Sequence, residues 1–205
     1  MDIPSFVRFC ILVGSARFGG NTIGLSKWVY NELQSSINNA TSEICLVDPH
    51  TKPHPVTPVL DNTSPAMVKD PTMYASQEVR DWSQFINSCS AMIIVTPEYN
   101  GGYPSTLKNA LDVLFWEWQN KPAAVVTAGG GGGRKCDEQL RQVMSALQMD
   151  VVEQRVQVQL PKSYTYTNQR IIPSEQHDTF LVQYRDTLRF AFGQLIDKIS
   201  KTSRQ

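Results

Sequence analysis

The chain alternates short apolar runs with longer stretches in which apolar residues return every three or four positions. The runs are "FVRFCILV" (6–13), "SEICLVD" (42–48), "SAMIIVT" (90–96) and "KPAAVVTA" (121–128). Near-continuous aliphatic residues of this length predict parallel strands buried on both faces. "VVEQRVQVQL" (151–160) alternates and predicts a fifth strand. Helical spacing appears over about 21–38, with Ile23, Tyr30, Leu33 and Ile37, and again over about 76–88. Leu107, Ala110, Leu111, Leu114 and Phe115 form a clean stripe, with Ser105 placed to cap its start. Cys136, Leu140, Val143, Met144 and Leu147 mark another helix, and Phe180, Tyr184, Leu188, Leu195 and Ile199 a last one over about 174–200.

Strands alternating with helices predict an α/β fold, a doubly wound five-stranded parallel sheet with helices on both faces. The stretch from Pro49 to about Ala75 holds six prolines and predicts neither regular helix nor central strand. No repeat or linker divides the chain, so one domain over 1–205 is expected, with a polar tail from about 200. Ligands of such sheets bind where strands end, at their carboxyl edge. The loops at 14–22, 97–104 and 128–134 all leave strands at that edge.

Composition narrows the partners. The 19 basic and 19 acidic residues cancel, which argues against nucleic acid or an anionic membrane as partner. No apolar run is long enough to span a bilayer, and the first residues lack the pattern of a signal peptide. Cys10, Cys45, Cys89 and Cys136 are scattered, without a CxxC pair, so neither a zinc site nor a disulfide framework is expected. A reduced, cytoplasmic protein is the expectation. His50, His54 and His177 read as surface residues rather than bases.

The first loop, "VGSARFGGN" (13–21), opens a helix after a strand, where backbone amides meet phosphates. A triphosphate-binding loop would need Lys and Ser or Thr after the second glycine, and Gly20 and Asn21 stand there instead. A dinucleotide fingerprint fits except that Ala16 replaces its middle glycine; Asp48 would be its ribose acid, or simply a turn residue beside Pro49. A monophosphate cradle built from Ser15, Arg17, Asn21 and Thr22 is the third reading, and a plain turn with an exposed arginine the fourth.

Two further loops favour a flat, polar-edged ligand. In "TPEYNGGYPSTLKNALD", prolines stiffen a strand end while Gly101 and Gly102 permit close backbone approach. Five successive glycines, Gly129 to Gly133, then follow the fourth strand at a conformational-entropy cost that a ligand contact would explain.

GSxR, TPEYNxxxPxxLKNAxD and the glycine-rich fourth loop together resemble the NADPH-dependent FMN reductases of flavodoxin-like fold, and the stretch from Leu107 to Leu140 resembles their fungal quinone and azo reductase branch. The resemblance implies that Ser15, Arg17, Asn21, Thr22 and Ile23 hold the FMN phosphate. It implies that Pro97, Glu98, Tyr99, Asn100 and Gly101 line the isoalloxazine, and Thr127, Ala128, Gly129 and Gly130 its pyrimidine edge. The implied activity is ping-pong hydride transfer from NADPH or NADH through bound FMN to a quinone, an azo compound or free flavin, with no catalytic side chain and no metal. Arg134 and Lys135 are candidates for the 2′-phosphate of NADPH, or merely solvated charges. Family members dimerise near the third helix, so Trp116 and Trp118 are expected at a homodimer interface. A flavin-redox-dependent interaction protein and a dinucleotide-binding dehydrogenase remain as alternatives.

Overall fold

The computed structural model describes residues 6–55, 63–172 and 179–202. Strands β1 (Val7–Val13), β2 (Ser42–Val47), β3 (Ala91–Pro97) and β4 (Pro122–Gly129) form the body of a parallel sheet. Its order is β2-β1-β3-β4, and the fifth position is shared by β5 (Asp150–Val151) and β6 (Val156–Gln159), both parallel to β4. The reversal between β1 and β3 is the switch point of a flavodoxin-like sheet.

Both faces are covered, which is why the strands read as unbroken apolar runs. Phe9, Ile11, Ile93, Val95, Val126 and Ala128 point to the face covered by α1 (Asn21–Gln34) and α6 (Arg185–Thr202). Their alternates Cys10, Leu12, Met92, Ile94, Ala123 and Val125 pack beneath α2 (Gln77–Ser88), α3 (Ser105–Asp112) and α4 (Arg134–Ala146). A short α5 (Lys162–Tyr166) follows β6.

Several expectations need correction. The predicted fifth strand is interrupted, because Arg141 draws the carbonyl oxygens of Val152 and Gln154 to its guanidinium and Gln194 accepts from the Gln154 N–H. Arg141 is itself held by buried Asp137, which also receives Arg155 and Gln157. The first helix stops at Gln34 rather than near 38, and the last begins at Arg185 after a tighter turn over Thr179–Tyr184. Pro104, not Ser105, occupies the N-cap of α3. His177 and residues 203–205 of the predicted polar tail lie outside the described residues, and α6 runs to Thr202. As the prolines require, the long connection contains only single turns, at Pro65–Met67 and Pro71–Met73, among its described residues.

Trp118 is not an interface residue. It is fully buried within the chain, its Nε1 donates to the Leu111 carbonyl at 3.0 Å, and its ring meets Trp82 edge-on. Trp116 is half-buried and donates to the Ala66 carbonyl at 3.0 Å, with Lys69 over its ring. Between the two tryptophans, buried Glu117 accepts from Ser83, Tyr74 and the Phe115 N–H and so ties the proline-rich connection to α2.

His54 is likewise not a surface residue. It is 3% exposed, its ring lies against Trp82, and neither ring nitrogen has a hydrogen-bond partner among the described residues. Burial holds its pKa down at about 4. His50 is exposed as expected.

Two stability predictions follow from this packing. Trp118→Ala should cost about 3–5 kcal/mol in urea unfolding, because no neighbour can refill the space of a buried indole. His54 binds a proton more readily when unfolded than when folded. Its contribution is therefore complete above the ordinary histidine pKa and shrinks as pH falls from about 6.5 towards about 4, by at most about 3 kcal/mol. The urea midpoint of the native chain should fall over that window, and His54→Phe should flatten the slope.

Candidate functional site

The register of the sheet places the three loops together. Val13 pairs with Val95 and Pro97 with Ala128, so β1, β3 and β4 end nearly level. Gly14 passes directly over the next strand: a Cβ there would stand 2.7 Å from the Thr96 Cβ. The requirement for glycine at this position is close packing between strands. Asp48, the ribose acid of the dinucleotide reading, instead closes a turn by accepting from the His50 N–H at 2.9 Å.

Beyond Gly14 the chain turns into α1 through Gly19 and Gly20. Gly20 is the N-cap, no side chain caps this helix, and its first turn contains no acidic residue. The helix that follows β4 at the same edge differs. Glu98 Oε2 accepts from the N–H groups of Lys135 and Cys136, so the start of α4 already has its carboxylate. The start of α3 is likewise without a side-chain cap or a first-turn acid, but of these starts only that of α1 lines the cavity described below, and its dipole would attract an anion there.

Tyr99 joins two of the loops. Its hydroxyl and the Ser15 Oγ share a hydrogen bond of 2.9 Å, and the Arg17 guanidinium lies 4.2 Å from its ring centroid. Ser15 also accepts from the Arg17 N–H at 3.2 Å. Tyr99 is held in turn by a two-residue hairpin. Asn100 and Gly101 both take positive φ, and Tyr99 and Gly102 exchange backbone hydrogen bonds of 2.8 and 3.0 Å. This is the Asn-Gly hairpin signature, legible in the "NG" of the sequence and missed there.

The five glycines divide into two groups. Gly132 and Gly133 have positive φ, and a Cβ on Gly133 would stand 2.8 Å from that of Thr127, so the turn itself demands them. The Thr127 hydroxyl donates to the Gly132 carbonyl at 2.8 Å and holds the turn from beneath. Gly130 and Gly131 meet nothing within 4 Å of an added Cβ. Of this open pair, Gly130 lines the cavity between the loops.

A cavity of about 310 Å³ lies between these loops. Of the predicted residues, Arg17, Asn21, Thr22, Pro97, Glu98, Tyr99, Ala128, Gly129 and Gly130 line it. Ser15, Ile23, Asn100, Gly101 and Thr127 do not; Ser15 and Thr127 stand one layer behind, through the bonds just described. Arg134 and Lys135 are exposed at the rim of the α4 turn.

The remaining wall was not anticipated. Leu160, Tyr164, Thr165, Thr167 and Arg170 close the cavity opposite Tyr99. Asn21 fastens them: its amide nitrogen donates to the Tyr164 carbonyl at 2.7 Å and its oxygen accepts from the Ile171 N–H at 3.0 Å. The Asn21 side chain is therefore a clamp on the wall, and its contribution to an anion falls to its backbone. Gly24, one turn on, leaves room for the Ile171 carbonyl, which a Cβ would approach to 2.1 Å. Arg170 Nε donates to the Gly19 carbonyl at 3.0 Å and brings a second guanidinium beside the α1 terminus. The signal was positional. "LPKSYTYTNQR" also leaves a strand at its carboxyl end, and the rule applied to the other loops covers it.

A model of the NADPH-dependent FMN reductase family matches residues 7–163. The chain belongs to this family. As a family member it is 41% identical over 113 residues to the NAD(P)H-dependent FMN reductase LOT6 of Saccharomyces cerevisiae, across 55% of this chain and 59% of that protein. The NAD(P)H-dependent FMN reductase ntnL of Nectria sp is 33% identical over 151 residues, 73% of each chain. The match to the corresponding reductase of Schizosaccharomyces pombe covers 45% of that relative, so the chain spans about half the length of the two yeast proteins. Among solved structures, the flavoenzyme FerB of Paracoccus denitrificans superposes with a TM-score of 0.64 at 21% identity, over 95% of this chain and 98% of that one, a likeness of fold.

The clamp yields a prediction. Asn21→Ala removes both of its hydrogen bonds, so limited proteolysis between 161 and 172 should accelerate while the global unfolding midpoint moves little. Asn21→Asp keeps the acceptor for the Ile171 N–H and should be cut at an intermediate rate.

Proposed function

We propose that the chain is an FMN-dependent NAD(P)H oxidoreductase that reduces quinones, azo compounds or free flavin in two-electron, ping-pong turnover. The observation that carries the reading is the α1 terminus: an uncapped helix start, flanked by Arg17 and Arg170, that opens into a cavity lined by bare glycine backbone. A phosphate ester with a flat ring attached suits those donors. The guanidiniums and α1 amides would take the phosphate, and the open edge at Gly130 and Gly131 would accept ring heteroatoms. Bound FMN supplies the redox chemistry, taking a hydride equivalent from NAD(P)H and passing two electrons to the acceptor.

The protein's part is to position and to exclude. Glu98 spends its carboxylate on α4, which fixes the Pro97–Tyr99 wall against β4, where the Glu98 N–H donates to the Ala128 carbonyl at 2.8 Å. The Asn21 clamp fixes the opposite wall. Fixed backbone dipoles at Gly129–Gly131 would stabilise negative charge developing on a ring edge without reorganising. The cavity is open on one side, so donor and acceptor would use the same exposed face of the ring in succession.

The reading extends to a homodimer in a reducing, cytoplasmic setting. Phe18 lines the cavity and stands 91% exposed, apolar surface that a second copy would cover. The four cysteines are free thiols, as a reducing compartment would keep them. No helix among the described residues is long and apolar enough to cross a membrane.

Absorbance and mass of the cofactor released from purified protein test the cofactor directly: FMN is expected, and a dinucleotide would refute the reading. Arg17→Ala should weaken FMN retention about tenfold to a hundredfold, the value of a charge-assisted hydrogen bond, while leaving turnover of the loaded enzyme nearly intact. Initial rates with varied NADPH and quinone should give parallel lines; intersecting lines would mean donor and acceptor are held together. Sedimentation should show a dimer.

A further inference from the structure

Away from the cavity, the fold gathers three of the four scattered cysteines. Cys10 and Cys45 are paired in register on neighbouring strands β1 and β2, so their side chains share a face. Cys89 caps the end of α2, two residues ahead of β3, and reaches the same face. The three Sγ atoms lie within 4.8 Å of one another, and no imidazole or carboxylate joins them among the described residues. Strand register here supplies the proximity that CxxC spacing supplies elsewhere.

We infer that Cys10, Cys45 and Cys89 form a binding site for a single soft, thiophilic cation, of which copper(I) is the best match. Sulfurs that share one ion at about 2.3 Å stand about 4 Å apart, so modest side-chain rotation closes the trio onto a metal. Soft thiolate sets select copper(I) and zinc, but structural zinc requires four ligands and this cluster presents three. Met92, the register partner of Cys10 on β3, places a thioether sulfur on the same face, which adds to the soft character.

The surroundings suit a buried ion with surplus thiolate charge. Cys10 and Cys89 are buried, whereas Cys45 on the edge strand is half-buried and offers the way in. Lys121 donates to the carbonyl oxygens of Cys89 and Ile86 at 2.8 and 2.9 Å and holds its ammonium beside the cluster. Arg8 acts electrostatically on Cys45 and Cys89 from the solvent side, where it also pairs with Glu43. The Cys45 Sγ lies 3.5 Å from the Phe9 carbonyl, close to the protein interior on its β1 side. Binding exchanges thiol protons for the cation and changes no oxidation state.

The test uses the intact, reduced protein with its cofactor as isolated. Copper(I) is added without oxygen against a competing chelator, and native mass spectrometry counts the retained ions. One copper per chain is expected. Cys10→Ser, Cys45→Ser and Cys89→Ser should each weaken retention at least about tenfold, since loss of even an outer-sphere partner costs that much. Cys136→Ser, a buried thiol outside the cluster, should retain it. Because a core cysteine variant can misfold, the unmutated protein provides a second readout: copper should protect Cys45 from alkylation. Failure to retain copper, equal loss in Cys136→Ser, tighter retention of zinc(II), or undiminished alkylation of Cys45 would overturn the assignment.

Discussion

Parallel pairing of β1, β3 and β4 is the constraint on which the rest of the molecule depends. Each parallel step must return across the sheet through a helix, so all strands finish at one edge and all following loops collect there. The sequence stocks those loops with the groups a flavin phosphate and ring would need, although each loop is individually ordinary. A glycine-opened helix start, an Asn-Gly hairpin and a glycine turn become a cavity only because β1, β3 and β4 end level.

Within that edge, the starts of α1 and α4 illustrate how the chain divides its polar groups. The carboxylate of Glu98 closes the start of α4, and nothing closes the start of α1. The same asymmetry separates scaffold from binding surface in the glycine loop, where Gly132 and Gly133 serve the turn and Gly130 and Gly131 face open space. Residues that a motif groups together thus fall into two layers, one that could touch a ligand and one that holds the first in place. Ser15, Asn21 and Thr127 belong through their side chains to the holding layer.

Another part of the sheet obeys the same geometry with a different result. Register also brings the middles of β1 and β2 beside the segment that enters β3, and there it assembles three thiols separated by as many as 79 residues. The two places are chemically distinct. One gathers hydrogen-bond donors and guanidiniums, the other three thiols flanked by Lys121 and Arg8.

By itself the sequence determined the strand and helix order, the class of sheet, the edge where the glycine-rich loops gather and the family, because those rest on local periodicity and contiguous motifs. Local patterns carry such information without reference to distant residues. It did not determine the interruption of the fifth strand, which depends on Arg141 reaching across from α4, or the burial of His54 and Trp118 against Trp82. Nor did it determine the Asn21 clamp, the wall from Leu160 to Arg170, or the meeting of Cys10, Cys45 and Cys89. Each of these joins residues far apart in the chain through side-chain geometry that exists only once helices have docked on both faces. Tertiary packing decided them, since a hydrogen bond or a shared ion needs distances of a few ångströms that no sequence spacing encodes.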